Sequence, residues 1–387
     1  MQLAAIHWHV WLLTKSALAL GMVGFFRGAP IILCSLAGGV IADAVDRKRL
    51  MIITQGVMLA SATLLTIVTI AGLRHVWPIY LLTATASAAV AFDTPARQSL
   101  MPTLVPARDF ANAVSLGVTV FYFAMIGGPA LAGLLLASHG PAIVYGFNAA
   151  SFLAMIGALT AMRASGRAVT REGEAASRVS LAALKEGLSF VWRTPIIVQT
   201  MTLDFVATFF ASATALLPIF ADKILNVGAR GFGLLSAAPA IGAVITGLVM
   251  ARMGTFRRQG KLVIGSVAVF GLATLLFGLS RVFWFSLLML ALSGAADTVS
   301  TVLRQTIRQL VTPDQLRGRM TSINMVFFMG GPQLGEVEAG TVAALIGAPL
   351  SVVIGGLGSV LAALIAAFSA RSLMNYDGDF HDDRVLK

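Results

Sequence analysis

The chain has 387 residues and is far more apolar than a water-soluble protein, with 57% hydrophobic residues, 12% charged residues and a mean hydropathy of +0.86. Because soluble domains carry roughly 25% charged residues, this composition excludes a water-soluble enzyme and indicates a protein of the lipid bilayer. The formal net charge of +11 is explained by membrane orientation and contact with anionic lipid, and it requires no nucleic-acid partner.

The N-terminal segment, residues 1–13, is apolar but would be only about 20 Å long as a helix. The hydrocarbon core of a bilayer is about 30 Å thick, so this segment cannot cross it. The segment also lacks the basic residues that open a signal peptide. We interpret it as the second half of a first membrane helix that is truncated at its beginning.

Eleven further apolar stretches approach or exceed the ~20 residues that cross a bilayer. They are residues 17–42, 47–72, 76–97, 112–137, 141–162, 195–221, 229–252, 260–280, 282–307, 319–346 and 349–370. The sequence therefore predicts an all-α membrane protein with one partial and eleven complete membrane helices.

The basic residues alternate between the loops. If the loop at residues 42–47 is cytoplasmic, that side of the membrane holds 22 of the 28 Lys and Arg residues, and the opposite side holds five. Cytoplasmic loops are enriched in Lys and Arg. We therefore expect this orientation, with the C-terminus in the cytoplasm.

Three short motifs occur twice in the chain. AFDT at residues 91–94 recurs as AADT at 295–298, RQ at 97–98 recurs at 304–305, and GGP at 127–129 recurs at 330–332, with offsets of 204, 207 and 203 residues. This near-constant spacing predicts two six-helix bundles, residues 1–162 and 195–370, in the same orientation. Parallel repeats of this kind place a substrate site between two bundles that rock against each other.

The segment that joins the bundles, residues 163–194, is polar and basic. Ser180 is suited to cap a helix and Pro195 to end one, so we predict an amphipathic helix over residues 181–192 within a cytoplasmic linker. The helix is expected to lie on the inner lipid surface; a regulatory binding element is the alternative. Residues 371–387 are predicted to form a cytoplasmic tail.

No residue pattern indicates an enzyme, a metal site or a cofactor site. The single cysteine, Cys34, is interpreted as a small apolar residue of a membrane helix, and the five histidines show no spacing typical of metal ligands. No nucleotide-binding motif is present, so ATP is not expected to be the direct energy source.

One loop carries a family resemblance. The sequence GVIADAVDRKR at residues 39–49 resembles the G-x-x-x-D-(R/K)-x-G-R-(R/K) loop between the second and third helices of the major facilitator superfamily. Residues 91–106 and 204–221 look like the bacterial branch called transmembrane secretion effectors, near the enterobactin-exporter and macrolide-efflux proteins. The resemblance implies the major facilitator fold in a bacterial inner membrane and proton-coupled efflux by alternating access. Ala44 and Asp46 depart from the loop pattern.

The same loop contains a candidate conformational latch formed by Gly39, Asp43, Arg47 and Arg49. Asp43 ends a helix whose last turn favours cations, so it needs a positive partner. Arg47 to Arg49 are local candidates for that partner, and the N-terminus of the 319–346 helix is a distant one. The resemblance favours the second, which would hold the halves together when the site faces outward. A solvated turn is the alternative. Arg252 stands where the repeat places the counterpart of Asp43, so one latch is expected.

Gly127, Gly128, Pro129 and Gly133 resemble the antiporter motif of the fifth helix, and Gly330, Gly331 and Pro332 form its second copy. Glycine permits close helix approach and proline removes a backbone donor. Close packing alone is the alternative explanation.

Five ionisable residues lie well inside the predicted spans and are candidates for substrate binding or proton coupling: Arg27, Asp204, Asp297, Glu336 and Glu338. Each costs at least ~2.5 kcal/mol when exposed to lipid, so they are expected to face protein or water and to form pairs. Glu336 and Glu338 are about 200 degrees apart on a helix, so one is expected to face the boundary between the halves. A carboxylate deprived of water can carry a proton; a fixed structural ion pair is the alternative.

Arg27 and Glu336 each lie 10 residues from the same side of their spans. The family fold brings the second and eleventh helices together across the boundary between the halves. We therefore expect Arg27 to pair with Glu336, or with Glu338 if the helical register differs.

The sequence thus predicts a monomeric exporter that exchanges an amphipathic small molecule, such as a drug, macrolide or siderophore, for protons. A uniporter or importer of the same fold is one alternative. A degenerate membrane scaffold that transports nothing is another, and the truncated first helix favours it.

Overall fold

The computed structural model describes residues 1–162, 181–254, 256–313 and 316–378. For some helical residues within these ranges, residues 35–44 among them, it describes the backbone alone. The described residues form helices and short loops without strands, which confirms the prediction of an all-α protein.

The helices follow the predicted spans closely. In the first half they are α1 (Gln2–Thr14), α2 (Ala17–Ala44), α3 (Arg47–Ile70), α4 (Trp77–Leu104), α5 (Phe110–His139) and α6 (Pro141–Ala161), and α7 (Leu181–Arg193) is the predicted linker helix. In the second half they are α8 (Pro195–Phe210), the short α9 (Leu217–Ile219), α10 (Gly228–Met253), α11 (Gln259–Leu279), α12 (Phe283–Val311), α13 (Arg317–Ile346), α14 (Ala348–Ser369) and the short α15 (Arg371–Met374).

The seventh span is broken, which the sequence prediction of one helix over 195–221 missed. Helix α8 ends at Phe210, a 3-10 turn covers Ala213–Leu216, and a π-helical turn at Phe220–Ile224 follows α9. Pro218 lacks a backbone N–H and begins the new helical segment. After the break, α9 contacts α1.

Among the described residues, nine helices are long and apolar enough to cross a membrane. Helices α4 and α13 have the length as well, but polar residues such as Asp93 and Gln333 lower their hydropathy. The protein is a multi-pass membrane protein.

We call the two segments that the sequence repeat predicts, residues 1–162 and 195–370, the first and the second half. In the first half, α3 packs on α4 and α6, and α2 packs on α4; in the second, α11 packs on α12 and α14, and α8 packs on α13 and α14. The main contacts between the halves are α2 with α13 and α5 with α10. The short α1 is buried from Ala4 to Trp11, and it contacts α2, α5, α6, α9 and α10.

Glycines bring the halves into contact at one end of the molecule, where α2 and α10 begin and α5 and α13 end; we call this the closed end. A Cβ added to Gly340 would lie 2.7 Å from the Cα of Gly21, and one added to Gly133 would lie 2.6 Å from the Cα of Gly233. Small residues allow backbones to approach this closely. The halves are therefore joined backbone to backbone at the closed end.

The halves part toward the opposite end, which we call the basic end because α2, α4, α10 and α12 finish there among most of the arginines. Every residue of α5 from Val114 to Phe121 is exposed, around the whole helix. Met325 and Val326 of α13 are also exposed at this level. The hydrogen bonds and ion pairs that His7, Trp11, Lys15 and Arg27 make with the second half lie between the closed end and the level of Glu336.

The C-terminal segment is anchored at the basic end. The Asp377 carboxylate accepts a hydrogen bond of 2.8 Å from the backbone N–H of Arg258, and Gln199 Oε1 accepts one of 2.9 Å from the N–H of Leu373. The predicted tail is therefore packed against α8 and α11 as far as residue 378, and its remainder lies outside the described residues.

The packing yields a first prediction. Gly133→Ala should lower the melting temperature of the purified protein, because its Cβ would overlap the backbone of α10. The matched control is Gly127→Ala, whose Cβ would meet nothing within 4 Å. Because alanine has a higher helix propensity than glycine, this variant should be as stable as the wild type or more stable, by up to ~1 kcal/mol. Equal melting temperatures for the two variants would contradict a backbone contact at Gly133.

Candidate functional site

Three ionisable side chains from three helices meet at the boundary between the halves. Arg27 Nη1 of α2 lies 3.8 Å from Glu336 Oε1 of α13, and His7 Nε2 of α1 lies 3.9 Å from Glu336 Oε2. The Glu336 and His7 side chains are each only 6% exposed, whereas Arg27 is 33% exposed. The expected approach of Arg27 to Glu336 is confirmed, and His7 is an addition that the sequence analysis missed.

Glycines of α2 make room for this cluster. A Cβ added to Gly24 would lie 2.6 Å from Glu336 Cβ, and one added to Gly28 would lie 2.7 Å from Gln333 Cβ. Because Gly24 and Gly28 are one helical turn apart, they form a groove in which α13 lies. Arg27 stands beside that groove and extends toward the carboxylate.

The contacts within the cluster are loose. Both distances exceed the ~3.2 Å of a normal N–H···O bond, and neither Glu336 Oε2 nor His7 Nε2 has a described hydrogen-bond partner. A buried carboxylate oxygen without a hydrogen bond makes the charged form costly. The cluster is therefore suited to bind a proton or to exchange partners.

Glu338 does not join this cluster. It lies on another face of α13, is partly exposed and has no described charged partner. The expectation that the two glutamates point in different directions is confirmed, and the residue that faces the boundary is Glu336.

A second buried cluster lies within the second half. Arg304 Nη2 of α12 pairs with Asp204 Oδ1 of α8 at 2.8 Å, and it lies 3.9 Å from Asp297 Oδ1. Arg304 and Asp204 are almost completely buried, whereas the Asp297 side chain is 47% exposed. Arg308, also buried, stands one turn beyond Arg304. The two predicted acids thus share one arginine, and all three residues belong to the second half.

The matching residues of the first half are arranged differently. Asp93 Oδ1 accepts hydrogen bonds from Thr54 Oγ1 at 2.9 Å and Gln55 Nε2 at 3.0 Å, and its other oxygen pairs with Arg97 at 2.8 Å. Both carboxylate oxygens are satisfied by neighbours in the same half. This arrangement is that of a structural ion pair.

The two GGP motifs have separate packing roles. In α5, Gly133 contacts α10 across the boundary, Gly128 lies near the Met1 backbone, and Gly127 borders open space. In α13, Cβ atoms on Gly330 and Gly331 would meet Phe205 and Thr208 of α8, and the Pro332 carbonyl accepts a hydrogen bond of 3.0 Å from Ser212 Oγ. The second copy therefore packs within its own half.

The candidate latch can be located only in part. Gly39 and Asp43 belong to the part of α2 for which the structure describes the backbone alone. Arg47 Nη1 donates to the Ser99 carbonyl at 3.1 Å, and the Arg49 N–H donates to Asp46 Oδ1 at 3.0 Å. Asp46, the departure from the family loop, is thus the N-cap of α3, a role that an Asp before a helix could have indicated.

The closed end holds a polar contact that the sequence analysis also missed. Trp11 Nε1 of α1 donates to Asp222 Oδ2 at 2.8 Å, and Lys15 Nζ donates to the same oxygen at 3.1 Å. Lys15 Nζ and Lys223 Nζ lie 4.9 and 5.1 Å from the centre of the Trp11 ring. These partners are more than 200 residues apart, so no local pattern could reveal them.

Known transporters share this fold. A peptide transporter POT, in complex with sulfate, is similar with a TM-score of 0.72 and 12% identity over 96% of this chain and 92% of that one. A bacterial homologue of the human lysosomal transporter Spinster, in an inward-facing and unoccupied conformation, has a TM-score of 0.70 and 16% identity over 96% and 94%. These identities show the fold alone.

Sequence relatives are exporters. The enterobactin exporter EntS of Salmonella typhimurium (strain LT2) is 25% identical over 362 residues, which are 93% of this chain and 86% of that protein. EntS of Escherichia coli O81 is 25% identical over 358 residues, 92% and 84% of the two chains. The model of the family described as transmembrane secretion effector matches residues 1–381. The chain is therefore a membrane transporter that belongs to the transmembrane secretion effector family of the major facilitator superfamily.

Proposed function

We propose that this transporter is a bacterial inner-membrane exporter that moves an amphipathic small molecule outward in exchange for protons, and that Glu336 is the proton carrier. The observation that supports this most is the buried Glu336 carboxylate at the boundary between the halves, held only loosely by Arg27 and His7. A charged group at this depth is a functional site by default.

The coupling works through the strength of the Arg27–Glu336 attraction. When Glu336 is ionised, it attracts Arg27 and holds α2 against α13, which keeps the closed end shut. When Glu336 binds a proton, its charge is removed and most of this attraction is lost. The halves can then part at the closed end. Export in exchange for protons further requires that a bound substrate also releases Arg27 from Glu336, so that the halves move with either a proton or the substrate bound and stay in place when neither is bound.

The substrate site lies in the space between the halves, toward the basic end. Phe205 of α8 stacks on Phe209 and meets Phe327 of α13 edge to face, with ring centres 6.1 Å apart in both cases. Arg27, one third exposed, borders the same boundary. A substrate with an aromatic body and an anionic group would suit these rings and the Arg27 guanidinium, and the similarity to enterobactin exporters makes enterobactin the first compound to test.

Proton coupling can be tested with Glu336→Gln. In everted membrane vesicles, the wild type should release protons when enterobactin, ethidium or erythromycin is added, whichever it transports. Glu336→Gln should abolish proton release, because the amide cannot ionise, while substrate exchange down a concentration gradient continues. Substrate transport is measured by fluorescence or radiolabel, and protons by a pH-sensitive dye.

The matched control is Glu338→Gln, which changes the same residue type two positions away on another face of α13. It should leave both the proton release and the exchange as in the wild type. If Glu336→Gln retains proton release, Glu336 is not the carrier. If the wild type moves substrate without protons, the protein is a uniporter, and if it moves protons with the substrate, it is an importer.

Orientation is a second test of the proposal. With Cys34 replaced by Ser, a cysteine at Ser138 should react with an impermeant maleimide from outside the cell, and a cysteine at Arg257 only from inside. The physical reason is that cytoplasmic loops are enriched in Lys and Arg. Labelling of both positions from one side would refute this topology.

We assign the Asp204–Arg304 pair a stabilising role, with the more exposed Asp297 as a second candidate for proton exchange. Arg304→Ala should lower the free energy of unfolding by ~3–5 kcal/mol, because it leaves Asp204 buried without its partner. The control is Arg97→Ala, at the matching repeat position: Arg97 is half-exposed, and Asp93 keeps Thr54 and Gln55. Similar melting temperatures for both variants would contradict this role.

The latch at Asp43 remains part of the proposal for the outward-facing state, with the N-terminus of α13 as its partner. We further propose that one monomer is the transport unit, since each half completes the site of the other.

A scaffold without transport is disfavoured because the chain belongs to a transporter family and the relatives named above are exporters. If the protein transports none of enterobactin, ethidium and erythromycin, the scaffold becomes the favoured alternative.

A further inference from the structure

We propose that Trp11, Lys15, Asp222 and Lys223 form the gate of the closed end, and that Asp222 is the residue that keeps it shut. We call these four residues the clasp. The inference rests on the alternating-access part of the proposed function, and it is independent of the direction of transport, of the substrate and of protons.

The clasp joins the two halves with strong bonds. Asp222, in the π-helical turn of the second half, accepts hydrogen bonds from Trp11 and Lys15, both from the first half. A hydrogen bond to a charged acceptor stabilises more than one between neutral groups. Since Trp11 Nε1 donates from a fully buried ring, its hydrogen bond is shielded from solvent and salt.

The two lysines add a second attraction to the same ring. Lys15 and Lys223 come from opposite halves, and both ammonium groups lie about as far from the Trp11 ring as cation–π pairs do. Two ammonium groups near one ring would repel each other. Asp222 offsets that repulsion, because it pairs with Lys15 at 3.1 Å and directly precedes the other lysine in the turn. Removal of the Asp222 charge therefore weakens every contact of the clasp.

The clasp differs from the glycine contacts beside it. Glycine backbones hold the helices together by fit alone, whereas the clasp is made of side chains that water can replace once the halves part. Lys15 is 49% and Asp222 33% exposed, so water already reaches part of the clasp. It can break and re-form in each cycle, which is what a gate requires.

The test measures distances between spin labels in purified protein in lipid nanodiscs, in a Cys34→Ser background. One label pair, at Ser138 and Arg230, spans the halves at the closed end, and another, at Gln98 and Gln305, spans them at the basic end. In Asp222→Asn, the closed-end pair should lengthen and the basic-end pair shorten, with the ratio of the two populations changed about tenfold, as loss of a hydrogen bond to a charged group predicts.

Further variants separate a gate from a structural contact. Trp11→Phe keeps the ring but removes the donor, and it should shift the distances in the same direction; combined with Asp222→Asn it should add little, because both remove one bond. Asp222→Glu should restore the wild-type distances at least in part. Lys15→Gln, at a half-exposed position, should give a smaller shift.

The control is Asp109→Asn, which breaks an exposed ion pair with Arg108 inside the first half alone and should leave both distances unchanged. Lower melting temperatures with unchanged distances in Asp222→Asn and Trp11→Phe would overturn the proposal. No substrate or pH gradient is present, so this outcome is distinct from a failure of proton-coupled export.

Discussion

The structure depends on how closely the two halves approach each other at one end. Backbones can touch only where glycine removes the side chain, and Gly21, Gly340, Gly133 and Gly233 do so near the closed end. Farther along, α5 presents exposed side chains on all sides. The molecule therefore has a tight contact at one end and a gap at the other, and Arg27 and Glu336 lie where the contact gives way to the gap.

The internal repeat relates the two main helix contacts between the halves, α5 with α10 and α13 with α2, and the second of these contains the Arg27–Glu336 pair. The 203-residue offset of the GGP motif takes Gly133 to Glu336. In α5 this position is a glycine that touches Gly233 of α10, and in α13 it is a carboxylate that faces Gly24 and Arg27 of α2. Two equivalent helix contacts have thus diverged, one toward pure fit and one toward a charge pair that a proton can weaken. With this asymmetry, the α5–α10 contact could serve as a hinge while the α13–α2 contact responds to a proton.

The sequence predicted the parts of this arrangement that depend on hydrophobicity and depth. Helix bounds, the linker helix and the approach of Arg27 to Glu336 follow from span lengths and from equal distances to the membrane surface. The break after Phe210 was missed because the apolar run continues through it, and hydropathy does not register a change from α to π geometry. His7 and Trp11 were missed because their partners, Glu336 and Asp222, are more than 200 residues away, and only tertiary packing brings them together.

His7 and Trp11 also connect the two proposed elements physically. They lie four residues apart on the buried helix α1, so they share one face of it; His7 meets Glu336 and Trp11 meets Asp222. A rigid helix cannot move one of these side chains without moving the other. If Glu336 is the proton carrier that we propose, loss of its charge would release α13 from α2 and at the same time free α1 to draw Trp11 away from Asp222. By this route a proton bound at the middle of the membrane would open a contact at its surface.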